Sequence, residues 1–368
     1  MEVLNINQKT IAWLNSAKGV SNRKIESILD YFDGNPKDLW DNFEAEKYNL
    51  SLLDQEVINY LIKSKDSFEE IFTKRLIIER ANIVTIFDDD YPKKLKEIDA
   101  PPYILYYKGS LGNIDCLSIA VVGSRKATSY GKLVAEKLTE ELSDLDINII
   151  SGLASGIDTI AHKTALKSNT KTVGVIGCGI DVIYPRSNEQ LYYAIREQEG
   201  AIITEYPFGM QPLPNNFHGR NRIISGLSDG VLVIEAQERS GTLITAGHAA
   251  NQGKEIFAVP GNIDSLYSKG TNALIKDGAK ITTSIDDIIE EINELKLKVK
   301  QRQNFMDYTT LTEDEMKIIY SLKSGNKTVD EINEEIKIET GNLLGLLTIL
   351  EMKNLVKQIT GNKFTVLL

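Results

Sequence analysis

The chain has 368 residues, room for two or three domains, and its 42% hydrophobic and 26% charged content is ordinary for a globular protein in water. A formal net charge of −10 and a pI near 5.1 exclude a globally basic nucleic-acid coat, so any nucleic-acid site has to be a local patch. Two cysteines, Cys116 and Cys178, make no disulfide framework or zinc cluster, and no apolar run approaches the roughly 20 residues that span a bilayer.

The N-terminal segment Met1-Glu-Val-Leu-Asn-Ile-Asn-Gln has neither a basic nor an apolar signal region, and the expectation is a cytoplasmic protein. Residues 1–74 read as helical: Ile6–Ser16, Ser21–Tyr31, Asp54–Ser64 and Ser67–Thr73 all carry apolar residues at three-to-four spacing. The turn Ser16-Ala-Lys-Gly-Val-Ser-Asn-Arg-Lys-Ile25 is similar to that of a helix-hairpin-helix or SAM-like module, with Ser21 as an N-cap. It serves either for backbone contact with DNA or only for packing.

From Ile77 the periodicity changes. Ile83–Phe87 and Pro101–Tyr107 are strand candidates. Strands and helices then alternate: Ile119–Val122, Lys132–Leu142, Ile147–Ile150, Ile157–Leu166, Val173–Ile176, Asn188–Glu197, Ala201–Thr204, Arg222–Leu227, Val231–Ile234, Leu243–Asn251, Ile256–Val259 and Thr271–Ile275. Such alternation predicts an α/β fold, a Rossmann-like extended parallel sheet over residues 75–292 with helices on both faces.

Residues 293–309, charged and amide-rich, read as a linker. Over 310–368, helical patterns at Glu313–Lys323, Val329–Glu335 and Gly341–Lys353 precede a hairpin, which is winged-helix order. The third of these helices is mostly apolar, whereas a major-groove reader needs Arg, Lys, Asn or Gln aimed at base edges. That argues for protein contact over duplex reading, and against a transcription factor.

In an open parallel sheet, ligands bind beyond the carboxyl ends of the strands, so the segments after each strand define the candidate site. Ile119-Ala-Val-Val-Gly123 opens like a dinucleotide site, but Ser124, Arg125 and Lys126 stand where G-x-G-x-x-G needs glycine. That loop reaches a phosphate with side chains. Ser151-Gly-Leu-Ala-Ser-Gly-Ile-Asp158 opens a helix whose free N–H groups and dipole favour an anion. A proline-rich loop leads to Phe217-His-Gly-Arg220-Asn221-Arg222, and Arg239-Ser240-Gly-Thr242 opens another helix. With Tyr206, Phe208 and Phe217 beside these cations, the edge has the pattern of single-strand binding.

Structural roles compete with these readings. Gly152 and Gly156 either face phosphate or only permit tight turns, and Asp158 reads as a first-turn helix residue. Arg222 or Arg239 either serves the ligand or pairs with Glu205 or Glu235, whereas Arg125 and Arg220 have no acidic neighbour in sequence. His162 and His248 fall on helical faces as packing histidines, and three histidines so spread give no metal spacing. Cys178 reads as a small buried residue, and no nucleophile–base pair stands out. No catalytic residue, metal or cofactor is expected.

Val121-Val-Gly-Ser-Arg125, Ser151-Gly-Leu-Ala-Ser-Gly-Ile-Asp-Thr-Ile-Ala-His162, Glu205-Tyr-Pro, Phe217-x-x-Arg-Asn-Arg-Ile-Ile-Ser-Gly226, Ser240-Gly-Thr-Leu-Ile-Thr-Ala246 and Ala258-Val-Pro-Gly261 together resemble the DprA (Smf) family, over about residues 75–290. The resemblance implies a DNA-processing protein that binds single-stranded DNA in natural transformation, protects it and loads the RecA recombinase. It also implies a homodimer through the Rossmann domain, working with other competence or single-strand-binding proteins and away from membranes. The DNA contacts it implies are Gly123, Ser124 and Arg125 and the segment Phe217, Arg220, Asn221 and Arg222. Lys126, Ser151, Gly152, Arg239 and Ser240 complete the expected set.

One departure is that Gln211–Phe217 carries no lysine where some relatives have a basic residue, a charge that Lys126 could supply. The alternative reading is a hydrolase similar to nucleoside-monophosphate phosphoribohydrolases. Their Pro-Gly-Gly-x-Gly-Thr-x-x-Glu loop is replaced here by Ala236-Gln-Glu-Arg-Ser-Gly-Thr-Leu-Ile.

Overall fold

The computed structural model of the chain describes residues 4–305, 311–353, 355–359 and 361–366, and divides into two units, Met1–Ile292 and Asn293–Leu368. The first unit opens with α1 (Ile6–Ser16), α2 (Asn22–Tyr31), α3 (Pro36–Glu46) and α4 (Gln55–Glu79). Local chemistry sets their starts. Asn5 and Gln8 form a reciprocal capping box on α1, Ser21 accepts from Lys24 N, and Asn35 caps α3 with Pro36 in its first turn. The Asn35-Pro36 signal marks a helix that apolar periodicity alone passed over. Asp54–Ser64 and Ser67–Thr73 join as parts of α4, because the polar stretch between them lies along one continuous helix.

The sheet follows, with β1 (Asn82–Thr85), α5 (Lys93–Lys96), β2 (Ile104–Gly109), β3 (Ser118–Val122), α6 (Ser129–Asp144), β4 (Asn148–Ser151), α7 (Ile157–Lys167), β5 (Thr172–Val175) and α8 (Glu189–Glu197). Next come β6 (Ala201–Thr204), α9 (Pro214–Gly226), β7 (Gly230–Val233), α10 (Gly241–Asn251), β8 (Glu255–Ala258), α11 (Lys269–Lys276), β9 (Lys280–Ile281) and α12 (Asp286–Glu291). The strands lie in the order β1-β2-β6-β5-β4-β3-β7-β8-β9. From β6 to β9 every pairing is parallel, while β1 and β2 extend one edge antiparallel. β3 to β7 are buried throughout, which is why each reads as a short apolar run, with polar or glycine residues mostly at its ends.

The chain walks from β3 outward to β6, then returns to set β7 against the other side of β3. Right-handed crossovers therefore put α6, α7 and α8 on one face and α9 and α10 on the other. The reversal lies between β3 and β7, and the crevice beyond their carboxyl ends is the expected ligand position.

One apolar core runs without a break from the N-terminal helices into the sheet: Trp13, Leu61 and Phe72 belong to the same cluster as Tyr106, Ile180 and Ile202. Polar bonds cross the same seam. Tyr106 donates from its hydroxyl to Asn15 Oδ1 at 2.9 Å, Asn15 Nδ2 donates to Glu205 O at 3.3 Å, and Asn22 Nδ2 donates to the Glu205 carboxylate.

The second unit contains α13 (Asn293–Phe305), so the stretch read as a linker is helical there. It continues with α14 (Glu313–Lys323), β10 (Lys327–Thr328), α15 (Val329–Ile336), α16 (Thr340–Met352), β11 (Val356–Ile359) and β12 (Lys363–Val366). β12 lies between β10 and β11 in an antiparallel sheet, and α14 to α16 close on a core of Ile318, Leu322, Ile332, Leu343 and Leu347. α16 leaves Leu344, Ile349 and Met352 exposed.

Candidate nucleic-acid interface

The crevice at the reversal is a real cleft of about 450 Å³. Three segments far apart in sequence build it: the loop Gly123–Lys126 after β3, one face of α9, and the start of α10. Asp158 and Ala154, at the start of α7, line it as well.

The β3 loop is fixed from below. Ile157 N donates to Ser124 O at 3.2 Å, Lys126 N donates to Ser124 Oγ at 3.1 Å, and Thr242 Oγ1 donates to Gly123 O at 3.1 Å. Gly156, with φ +86°, faces this loop so closely that any side chain would collide with the Ser124 and Arg125 backbone. Ser124 is itself buried, with its hydroxyl held inside the loop, and the loop turns outward only beyond it. Arg125 and Lys126 are exposed, and among the described residues no carboxylate pairs with either.

Phe217 is the wall facing them. It lies in the first turns of α9, not in a loop as the prolines suggested, because Pro214 occupies the first helical turn instead of preventing it. The Arg125 guanidinium carbon lies 5.4 Å from its ring centroid, that of Arg220 lies 6.0 Å away, and Tyr184 packs against it at 5.5 Å. Tyr206 supports α9 by donating from its hydroxyl to Asn216 O at 2.9 Å.

Arg220 differs from its reading as a free cation. It is buried, donates from Nη1 to Gly152 O at 2.8 Å and to Val175 O, and lies beside Asp158, a partner invisible to a search of near sequence neighbours. Burial pushes the guanidinium down to about 10, opposed by the Asp158 charge. The Asp158 carboxylate accepts from Gly152 N at 3.2 Å and Ala154 N at 3.4 Å, so the anion at the head of α7 is supplied from within. Burial raises this carboxyl to about 6 despite Arg220 and both N–H donors. A Cβ on Gly152 would sit 2.7 Å from Arg220 Nη2 and 2.8 Å from Asp158 Oδ2, so this glycine is needed for the Asp158–Arg220 approach.

The remaining residues divide between cleft and scaffold. Ser151 is fully buried and spends its hydroxyl on Val121 O at 2.6 Å. Ser240 caps α10, accepting from Thr242 N at 3.2 Å, and stays in the lining. Asn221 lines the cleft too, holding Gly241 O through Nδ2 at 3.2 Å. Arg222, two residues past Arg220, faces the opposite way, grips Glu205 at 2.5 and 2.7 Å and donates from Nε to Ala100 O at 3.0 Å. Of the two pairings left open for Glu205 and Glu235, only this one forms. Glu235 instead accepts from Thr128 N at 3.0 Å and Thr128 Oγ1 at 2.5 Å. Arg239 is exposed on the loop before α10, outside the cleft lining.

Cys178 is buried with its thiol raised to about 12 by desolvation, and His162 is fully buried and lowered to about 3 by the same cause. Thr172 gives its hydroxyl proton to Ile149 O, so His162 donates to Thr172 from Nδ1 and carries its proton there. Among the described residues no cluster of His, Cys, Asp or Glu is arranged to hold a metal ion, and no helix is long and apolar enough to cross a membrane.

The chain is 45% identical over 207 residues to the DNA processing protein DprA of Streptococcus pneumoniae, covering 56% of this chain and 73% of that one. Its fold is similar to the X-ray structure of DprA from Streptococcus pneumoniae, with a TM-score of 0.67 and 34% identity across 79% of this chain and 99% of that one. It is also similar to the structure of DNA processing protein A from Helicobacter pylori that describes a single-stranded DNA binding mode, with a TM-score of 0.52 and 31% identity across 61% of this chain and 98% of that one. Residues 82–293, which contain the sheet and every segment of the cleft, match the family model for DNA recombination-mediator protein A. The chain belongs to that DNA-processing family.

Proposed function

We propose that the protein binds single-stranded DNA in the β3–β7 cleft, protects it and loads the RecA recombinase onto it, as a cytoplasmic homodimer joined through the sheet-bearing unit. The observation that carries this reading is Arg125. It is an exposed guanidinium without a carboxylate partner, set over the face of Phe217 beside the start of α10. A phosphate satisfies the cation and the helix N-terminus together, while a base stacks on the exposed part of the ring and on Tyr184. Gly123, Ser124 and Lys126 form the floor and rim, and Arg239, exposed one residue before the cleft-lining Ser240, is available to a longer strand.

Binding without catalysis fits the same chemistry. Asp158 is committed to two N–H groups and Arg220, and the Cys178 thiol is buried and protonated at neutral pH. The order of α14 to α16 with the β10–β12 sheet is that of a winged helix, and its apolar α16 suits a protein contact better than a duplex groove. The α1–α2 turn, with Asn22 tied to Glu205, suits a SAM-like packing module.

The test is titration of the full chain with labelled single- and double-stranded oligonucleotides of equal length, with and without RecA. The expected result is a clear preference for the single strand, lost in Arg125→Glu. Equal affinity for both strands, or wild-type binding by that variant, refutes the reading. Release of free base from AMP by the purified protein would instead establish the hydrolase alternative.

A further inference from the structure

Asp158 lines the cleft yet contributes nothing to phosphate attraction. Its carboxylate takes up the N–H groups of Gly152 and Ala154, in the loop leading into α7, which an incoming phosphate would otherwise use. It lies across the Gly152 backbone from Arg220, whose charge it feels without an ion-pair contact, and the missing Cβ of Gly152 leaves room for both groups. Arg220 in turn directs Nη1 inward to Gly152 O and Val175 O and Nε to Asn221 Oδ1, with its guanidinium carbon 6.0 Å from the Phe217 ring centre. Of the two guanidiniums on that ring, one is buried beside an acidic charge, and the other, Arg125, is exposed.

We infer that Asp158 is a positioning residue of the cleft: a resident anion that occupies the head of α7, holds Arg220, and directs the DNA phosphate to Arg125 and the start of α10. The inference rests on the single-strand reading above. A phosphate displaced toward α7 meets a carboxylate, so one wall of the cleft accepts the backbone and the other repels it. The resident charge also holds affinity below what the cations alone would give, which suits a protein that has to pass its strand on.

Asp158 is faced by Arg220 from α9 and Arg125 from the β3 loop, with Lys126 and His218 in the same lining. His162, on its own helix, is kept neutral by burial. With the Asp158 carboxyl raised to about 6, acidification protonates it, the resident anion disappears, and DNA should bind more tightly.

The experiment is fluorescence anisotropy of a labelled oligothymidylate with the full chain at pH 7.5 and 5.5. It is run in a His218→Asn background, which takes the cleft-lining imidazole out of the comparison. Expected is a roughly fivefold tightening between the two pH values, the scale of one unit charge across a partly solvated site. Asp158→Asn, which keeps an acceptor for the two N–H groups, should bind about fivefold tighter at pH 7.5 and show no pH response. A pH profile in Asp158→Asn equal to that of its parent, or weaker binding at pH 7.5 by a variant that melts normally, overturns the inference. Should that variant not fold, the parent decides alone: a flat profile overturns, and a fivefold tightening sustains. Absence of single-strand binding at both pH values would instead remove the function on which the inference rests.

Discussion

The guanidinium of Arg125 lies over the Phe217 ring, 5.4 Å from its centre, although 92 positions separate the two residues in the chain. A cation so placed is held in the cleft without being consumed by a carboxylate. Arg125→Ala should weaken single-strand binding and lower the salt slope by about 0.7 log units, one phosphate's worth of released counterions. Phe217→Ala should cost about 1–3 kcal/mol of binding with the slope unchanged. Titrations over a salt series separate the two effects, and a changed slope in Phe217→Ala would contradict the division of labour.

Arg222 belongs to the scaffold. The Arg222–Glu205 pair is bidentate, with side chains 12% and 7% exposed, so Arg222→Met leaves a buried carboxylate without its cation. A loss of about 3–5 kcal/mol in urea unfolding is expected, with the salt slope of DNA binding preserved in the folded fraction. A normally stable variant with a reduced slope would put Arg222 back among the DNA contacts.

Gly156 links backbone geometry to ligand binding. Its φ of +86° and ψ of −128° lie where glycine alone is at ease, and a Cβ there would strike the backbone of Ser124 and Arg125. Gly156→Ala should cost about 1–3 kcal/mol of stability. It should also displace the β3 loop and weaken binding, whereas Gly247→Ala, on open surface, should do neither. Thermal melts and anisotropy on both variants check this.

His162 makes the fold acid-labile. Its folded value is depressed to about 3 against about 6.5 in the unfolded chain, so the unfolded state takes up the proton first. The stability it contributes is present above pH 6.5 and is lost as pH falls toward 3. Asp158, raised to about 6, acts in the opposite direction, so the comparison has to be made between proteins. Relative to His162→Gln, wild type should lose up to about 1.4 kcal/mol per pH unit between pH 6 and 4, measured by urea unfolding.

Sequence made the sheet legible because a strand buried on both faces is apolar through its centre, as in Ile119–Val122 and Val231–Val233. It also located the cleft, because strand ends mark it in any fold of this type. Three matters needed coordinates. Pro214 reads as a loop residue and in fact opens α9. The partner of Arg220 is Asp158, 62 positions earlier, and the partner of Asn22 is Glu205, 183 positions later. Contacts across that separation leave no local pattern, so an arginine in a ligand-rich segment looked free when it was already engaged.

The unbroken core beneath the N-terminal helices has a consequence for how the protein can be handled. A cut near residue 74 separates two compositions, but it would strip Phe72 from Tyr106 and Phe208 and take Asn22 from Glu205. The first 292 residues therefore pack as one compact unit. A truncation meant to isolate the cleft would bare an apolar wound on the sheet that carries it, and the fragment's stickiness could pass for DNA-driven assembly.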